Sequence, residues 1–422
     1  MRRTSATTCL GLLAAAGVLM LLACGWAGGA EPLTAPAPVP AVPFPPEILD
    51  LSLQPPAFDT APGPQYQDDT RDYGMIIGLE RSPGGRLWVA WVGGGDSDAA
   101  YFLVASSDDD GRTWSRPRLV IDPTDAPGLR RRTLVGNLWC DPKGRLWLFF
   151  DLSMGQFDGR AGDWATVCEN PDAAAPVWGP PRRLWHGATL CKPTVLSSGE
   201  WLLPISLWTR NKIRPAALIE AYHELDDQRM AHVFVSTDAG ATWTRRGGVA
   251  FPESDFDEHM IVERRDGSLW MLSRVKTGIA ESVSADRGRT WSPPQPSAIK
   301  SVNARFFVRR LQSGRLLLVK HGERIGEAPR GRSHLTAFVS DDDGRTWRGG
   351  LLLDERKSVS YPDGFQAPDG SISIAYDRNR AADREILLAK FTEEDVLAGR
   401  AVSASARLKV LINKAMGVKK TP

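Results

Sequence analysis

Four stretches of this chain share one pattern, Ser-x-Asp-x-Gly-x-x-Trp: SDDDGRTW from Ser107, STDAGATW from Ser236, SADRGRTW from Ser284 and SDDDGRTW from Ser340. A pattern recurring within one chain marks a single supersecondary unit used repeatedly, and it restricts the fold to repeat architectures. A second signal, a glycine opening a short apolar run, occurs six times: GRLWVAW (Gly85), GRLWLFF (Gly144), GEWLLPI (Gly199), GSLWMLS (Gly267), GRLLLVK (Gly314) and GSISIAY (Gly370). Successive glycines lie 59, 55, 68, 47 and 56 residues apart. Each run has strand length and follows turn-type residues such as Pro83-Gly84 or Pro368-Asp369.

One whole unit reads from Met75 to Ile121. Strands are expected over residues 75–80, 86–92, 101–105 and 113–121, with the Asp box turning the chain before the last of them. Four antiparallel strands per unit, six times over, predict an all-β, six-bladed β-propeller. The Asp box then acts as a hairpin staple: its Asp accepts turn amides, its Gly takes a positive φ, and its Trp packs between sheets. Blade two keeps a worn copy, Asn170-Pro171-Asp172 to Trp178, and blade six has none. The propeller is expected over 65–405, with a tail at 406–422. Residues 31–64 carry eleven prolines and read as an extended linker.

The chain opens with Arg2 and Arg3, then an apolar run from Leu10 to Leu22 that is too short to span a membrane comfortably. Residues 1–30 therefore read as a signal peptide. Two cleavage readings stand. Leu21-Leu22-Ala23-Cys24 is similar to a lipobox and would leave a lipid anchor on Cys24; Gly28-Gly29-Ala30 before Glu31 reads as an ordinary site and is preferred. Either exports the mature protein, as a periplasmic, outer-membrane-associated or secreted protein. The net charge of +2 over 422 residues gives no bulk attraction to nucleic acid. Cys140, Cys168 and Cys191 follow the signal with no metal-type spacing, leaving one disulfide plus a thiol, or buried thiols, as the choices. Oligomeric state is not legible.

Topology sorts residues by face. In a propeller the Asp boxes share one face with the turns between first and second strands. The starts of first strands and the ends of second strands share the other, near the central channel. Counting back from the second-strand glycines places Glu258, Arg305 and Tyr361 on that rim, with Arg132 and Lys192 offset from the same register. Second-strand ends add Asp96, Asp98, Asp151, Arg210, Arg274, His321 and the cluster Asp377-Arg378-Asn379-Arg380. His259 adjoins Glu258, and Asp158 and Asp163 belong to the blade-two loop.

Asp boxes on a six-bladed propeller resemble the sialidase superfamily, and HMIVERRDGSLWMLSR and VSYPDGFQAPDGSISIAYDRNR are similar to its bacterial members with BNR-type repeats. The resemblance spans roughly Tyr73 to Arg400. It implies an exo-acting glycoside hydrolase on a terminal acidic sugar, with an acidic glycan as partner and no metal or cofactor. It implies Tyr361 as nucleophile, Glu258 as its base, Arg274 and Arg332 as carboxylate-binding arginines, and Asp96 or Asp98 as acid/base. A carboxylate on the anomeric carbon repels a carboxylate nucleophile, so a neutral phenol suits this substrate. The chain departs from the family in blade one. The family opens that blade with Arg-Ile-Pro; here Met75 stands ten residues before Gly85, where the arginine is expected. Arg71 and Arg132 are the nearby substitutes. Further substrate contacts are expected from Arg305, Lys192, His259, His321 and Arg378. Two other readings use the same rim: a lyase or hydrolase on uronic-acid glycans, and a carbohydrate-binding propeller without catalysis.

Overall fold

The computed structural model describes residues 43–123 and 129–418. The expected signal peptide, the Cys24 anchor and the first part of the linker lie outside the described residues. Six sheets follow one another along the chain, each built from consecutive antiparallel strands. Blade one comprises Met75–Arg81, Leu87–Gly93, Tyr101–Ser107 and Leu119–Ile121. These strands match the expected unit except at the fourth, where only the last three residues pair. The chain is thus an all-β, six-bladed propeller.

The Asp boxes are staples of the expected kind. In the first, Asp109 Oδ1 accepts the amides of Arg112 and Thr113 at 3.0 and 2.8 Å, Oδ2 accepts the Thr113 hydroxyl at 2.6 Å, and Ser107 Oγ accepts Gly111 N at 2.9 Å. Asp238, Asp286 and Asp342 accept the same threonine pair of donors in their own turns. These hydrogen bonds, led by the threonine hydroxyl, lower the Asp109 carboxyl to about 2. In the worn blade-two copy Asp172 instead reaches the neighbouring blade, accepting Ser82 Oγ at 2.5 Å and Gly84 N at 2.8 Å.

Two expected boundaries move. The strand Arg407–Lys414, placed in the tail by sequence, pairs with Glu385–Phe391 and is the outer strand of blade six. Its apolar residues Leu408, Val410, Leu411 and Ile412 lose the two-residue period where the pairing register shifts, so pattern alone did not mark it. Residues 43–64 contain short helical turns at Pro46–Leu49 and Asp50–Leu53 rather than an extended linker. Arg160 Nη2 bonds Leu49 O at 3.1 Å and Asp50 at 2.8 Å, and Trp164 Nε1 bonds Ser52 O at 3.3 Å, which holds this segment on blade two.

Among the described residues the ring closes through side-chain and main-chain contacts between blades six and one, not through an exchanged strand. Lys390 and Arg407 both reach Asp110 at 2.7 Å, Arg71 donates to Asn413 at 2.7 Å, and Gly74 N bonds Arg380 O at 3.1 Å. All three cysteines among the described residues are free thiols.

Candidate active site

Tyr361 and Glu258 meet on the channel rim opposite the Asp boxes. The sheet pairing of Val359–Gln366 with Ile372–Arg378 breaks between Ser360 and Asp363. A bulge of this kind re-aims a side chain, and here Tyr361 takes φ 55°. On blade four Asp257 and Glu258 take φ 56° and 44°. Their turn is held by Asp257 accepting Ser206 Oγ at 2.7 Å and by Arg274 N donating to Asp257 O at 2.7 Å. Left-handed backbone at non-glycine residues costs on the order of 1–3 kcal/mol each and persists where surroundings impose it. Both residues at the centre of this site carry it.

The Tyr361 hydroxyl donates to Glu258 Oε1 at 2.6 Å, and Arg274 Nη1 bonds the same carboxylate oxygen at 2.9 Å and the phenol oxygen at 3.3 Å. Glu258 is 1% exposed. Burial opposes its charge, but Arg274 and Arg305 outweigh burial and hold the carboxyl below the ordinary carboxylate range. Burial, reinforced by the Glu258 carboxylate, pushes the phenol of Tyr361 up. The phenol is therefore neutral, with an ionised acceptor already on its proton. Glu258 Oε2 is buried without a partner.

These groups line a cavity of about 300 Å³ with Arg332, Arg380, Asp96, Met75 and Gln156. Arg332 Nη1 bonds Ser360 Oγ at 3.0 Å, and Asn303 binds both Arg274 Nε (2.6 Å, side chain) and Arg332 Nη2 (3.0 Å, carbonyl). Arg380 lies over the Tyr361 ring at 4.1 Å. One wall is aromatic: Trp208 stands 5.0 Å from Phe157 and 5.1 Å from Phe256.

Of the expected site residues, the cavity gathers Tyr361, Glu258, Arg274, Arg332 and Asp96. The others are placed elsewhere, most of them held by partners of their own. Arg305 is buried beneath Tyr361, donating to the carbonyls of Leu190, Ile77 and Tyr361 at 2.9, 3.2 and 3.3 Å, so it braces the channel. Lys192 sits deeper in the channel, where Glu80 Oε2 and Asp363 Oδ2 neutralise it at 3.1 and 3.2 Å. Arg132 pairs with buried Asp151. Arg71 joins Asp68 and Asn413 at the ring seam. His259 and His321 are buried against the carbonyls of His232 and Val359, and burial lowers both to about 4. Arg378 turns outward to Glu385 and Asp383. Asp98 is exposed and away from the cavity wall; Asp158 and Asp163 are buried in local hydrogen bonds.

Sequence reasoning singled out the cluster that holds Arg380 but assigned the substrate contact to Arg378, and it missed the aromatic wall. Strand alternation sends Arg378 to the face of Glu385, its cross-strand partner. Arg380 follows Asn379, whose φ of 48° turns the chain back to the channel. Trp208, Lys212 and Arg214 come from residues 207–230, the insertion responsible for the longest glycine interval, 68 residues.

A family model described as "BNR repeat-like domain" matches residues 85–374, well over half of the chain. The chain belongs to the BNR repeat-like family. Its structural neighbours include the Hadza microbial sialidase Hz136, at 18% identity and TM-score 0.60 over 78% of this chain and 67% of that one. The intramolecular trans-sialidase from Ruminococcus gnavus matches at 14% identity and TM-score 0.60 over 79% and 97%. The NanB sialidase from Streptococcus pneumoniae matches at 15% identity and TM-score 0.57 over 81% and 71%. A comparison with curated proteins finds no match. This BNR repeat-like chain therefore has the sialidase-like propeller fold.

Proposed function

We propose that this protein is an exported, exo-acting glycoside hydrolase that removes a terminal sugar bearing a carboxylate on its anomeric carbon. The carrying observation is the 2.6 Å hydrogen bond from the Tyr361 phenol to the ionised Glu258, at the floor of a cavity lined by arginines. Several proteins of like fold are named sialidases or trans-sialidases, which supports the same substrate class.

In this reading Arg274 and Arg332 receive the substrate carboxylate through charge-assisted hydrogen bonds. Glu258 takes the phenol proton as the Tyr361 oxygen bonds the anomeric carbon. Asp96, at the solvent side of the cavity, gives its proton to the departing glycosidic oxygen. In the second half Asp96 takes a proton from water, water displaces the Tyr361 oxygen, and Glu258 returns the proton to the phenol. The water-excluded floor strengthens the Glu258–Tyr361 interaction. A lyase would need a base beside the sugar's α-proton. The buried positions of His259 and His321 remove the histidines as candidates.

The test is incubation of the full chain with a fluorogenic sialoside, followed by both fluorescence and ultraviolet absorbance of the product sugar. Fluorophore release with a saturated sugar supports the proposal. Release with an unsaturated, ultraviolet-absorbing sugar assigns a lyase, and no release from folded protein overturns sialoside hydrolysis.

A further inference from the structure

Five cationic side chains, Lys212, Arg214, Arg274, Arg332 and Arg380, line the cavity against two acidic ones, Asp96 and Glu258. The reaction above gives no task to Lys212, Arg214 or Arg380. Lys212 pairs with Asp255 at 2.8 Å and Arg214 Nη1 bonds the carbonyls of Asn211 and Ile213, which leaves Arg380 as the one of the three with a buried, unpartnered donor. We propose that Arg380, reaching in from blade six, is a third guanidinium that binds the substrate carboxylate, beside Arg274 and Arg332. The inference rests on the proposed function and adds a specificity-determining residue to it.

Its geometry is that of a held but incompletely used donor. Nε donates to Asp377 Oδ1 at 3.0 Å. Nη2 is buried and has no partner. A buried cationic donor without an acceptor is costly, and such a group calls for an explanation such as an absent anion. The side chain is also fixed before any ligand arrives. Its guanidinium lies 4.1 Å from the centre of the Tyr361 ring, the residue assigned to the reacting carbon.

The anchoring unit is tied to blade one on both sides of Met75. Gly74 N donates to Arg380 O at 3.1 Å, and Ile76 N donates to Asp377 Oδ2 at 3.2 Å. Met75 itself contributes only an apolar surface to the cavity. The blade-one side of the site thus carries no charge of its own at this point, and blade six delivers one to the same place. Arg274 has both Nε and Nη1 engaged by Asn303, Glu258 and Tyr361. Arg332 has both terminal nitrogens engaged by Ser360 and Asn303. The free terminal nitrogens of Arg380 are therefore the least committed donors in the cluster. A carboxylate offers two oxygens and about four lone-pair sites, enough to join all three arginines.

A guanidinium that only closed the ring seam would affect all ligands alike. One that binds the carboxylate would distinguish an acid from its ester. The experiment measures binding by calorimetry to the full chain carrying Tyr361→Phe, which prevents turnover, with free sialic acid and its methyl ester as probes. Arg380→Met is combined with Asp377→Asn, so that no carboxylate is left buried without its partner; Arg380→Lys is a second variant that keeps the charge but not the fork. The double replacement should weaken acid binding about tenfold or more and ester binding less than about twofold, with the lysine variant between. Equal losses for acid and ester, no loss, or no binding of the acid by the parent overturns the assignment. Two results separate it from the proposed function. Arg380-dependent acid binding without sialoside turnover keeps the clamp and rejects the reaction. Turnover with KM unchanged in Arg380→Met keeps the reaction and rejects the clamp.

Discussion

Tyr361→Phe removes one oxygen atom from the floor of the cavity, and the structure separates its effect on folding from its effect on chemistry. The phenol donates one hydrogen bond, to Glu258 Oε1 at 2.6 Å. A hydrogen bond to a charged buried group is worth about 1.5–3 kcal/mol. Arg274 Nη1 remains 2.9 Å from the same oxygen after the change, so Glu258 keeps its counter-charge and the loss belongs at the low end, about 1.5 kcal/mol. In a domain of this size that is a fall in Tm of only a few degrees. The chemical loss is much larger, because phenylalanine offers neither a nucleophilic oxygen nor a proton for Glu258. A reduction in kcat of about 10³-fold or more is expected. Glu258→Gln should lose activity comparably but fold less well, since Arg274 is then buried without a carboxylate, a change costing about 3–5 kcal/mol. The assay pairs fluorogenic sialoside turnover with thermal unfolding of the same samples. A phenylalanine variant that keeps more than about a tenth of the wild-type rate, or one that loses activity only in step with unfolding, would refute the assigned role of the phenol.

Three further outcomes concern the scaffold. Gly288 and Gly344 occupy the same Asp-box position, both at φ +86°, but a Cβ on Gly344 would come within 2.5 Å of the Trp270 ring whereas one on Gly288 would meet nothing closer than 3.4 Å. Alanine should cost about 1 kcal/mol at Gly288 from backbone strain alone, and about 1–3 kcal/mol more at Gly344 from overpacking, read as denaturation midpoints; equal costs would contradict the packing argument. Burial raises the Asp163 carboxyl from 3.8 to about 8 despite hydrogen bonds from Thr189. Between those values the native acid is neutral while the unfolded one is charged, so its contribution to stability declines as pH rises from about 4 to 8; Asp163→Asn should flatten that slope in urea titrations taken across the interval. Truncation after Ala406 removes the outer strand of blade six, bares the edge of Glu385–Phe391 and takes Asn413 from Arg71; the shortened chain should aggregate on heating where the full chain does not, as followed by light scattering.

The periodic part of the molecule was legible because it is local. A Gly, a Trp and a turn repeat wherever a hairpin recurs, and the register they set placed Tyr361, Glu258 and Arg274 on one rim. Depth in the channel and existing neutralisation were not legible, because both depend on partners from other blades. Lys192 is spent on Glu80 and Asp363, from blades one and six, and Arg305 on carbonyls from blades one, three and six. Nothing near either residue in sequence announces those partners. Arg380 was within the cluster singled out, yet the choice between it and Arg378 turned on one residue, Asn379, leaving the β region.

Each blade is complete in consecutive strands, and the last described residues run beside the start of blade one, where Met416 N bonds Asp68 O at 2.6 Å and Gly417 N bonds Arg71 O at 2.7 Å. The ring itself therefore does not fix which blade comes first along a chain. A circularly permuted chain, joined near residues 68 and 417 and reopened in the exposed turn at residues 355–358 between blades five and six, would still thread six intact sheets in the same cyclic order.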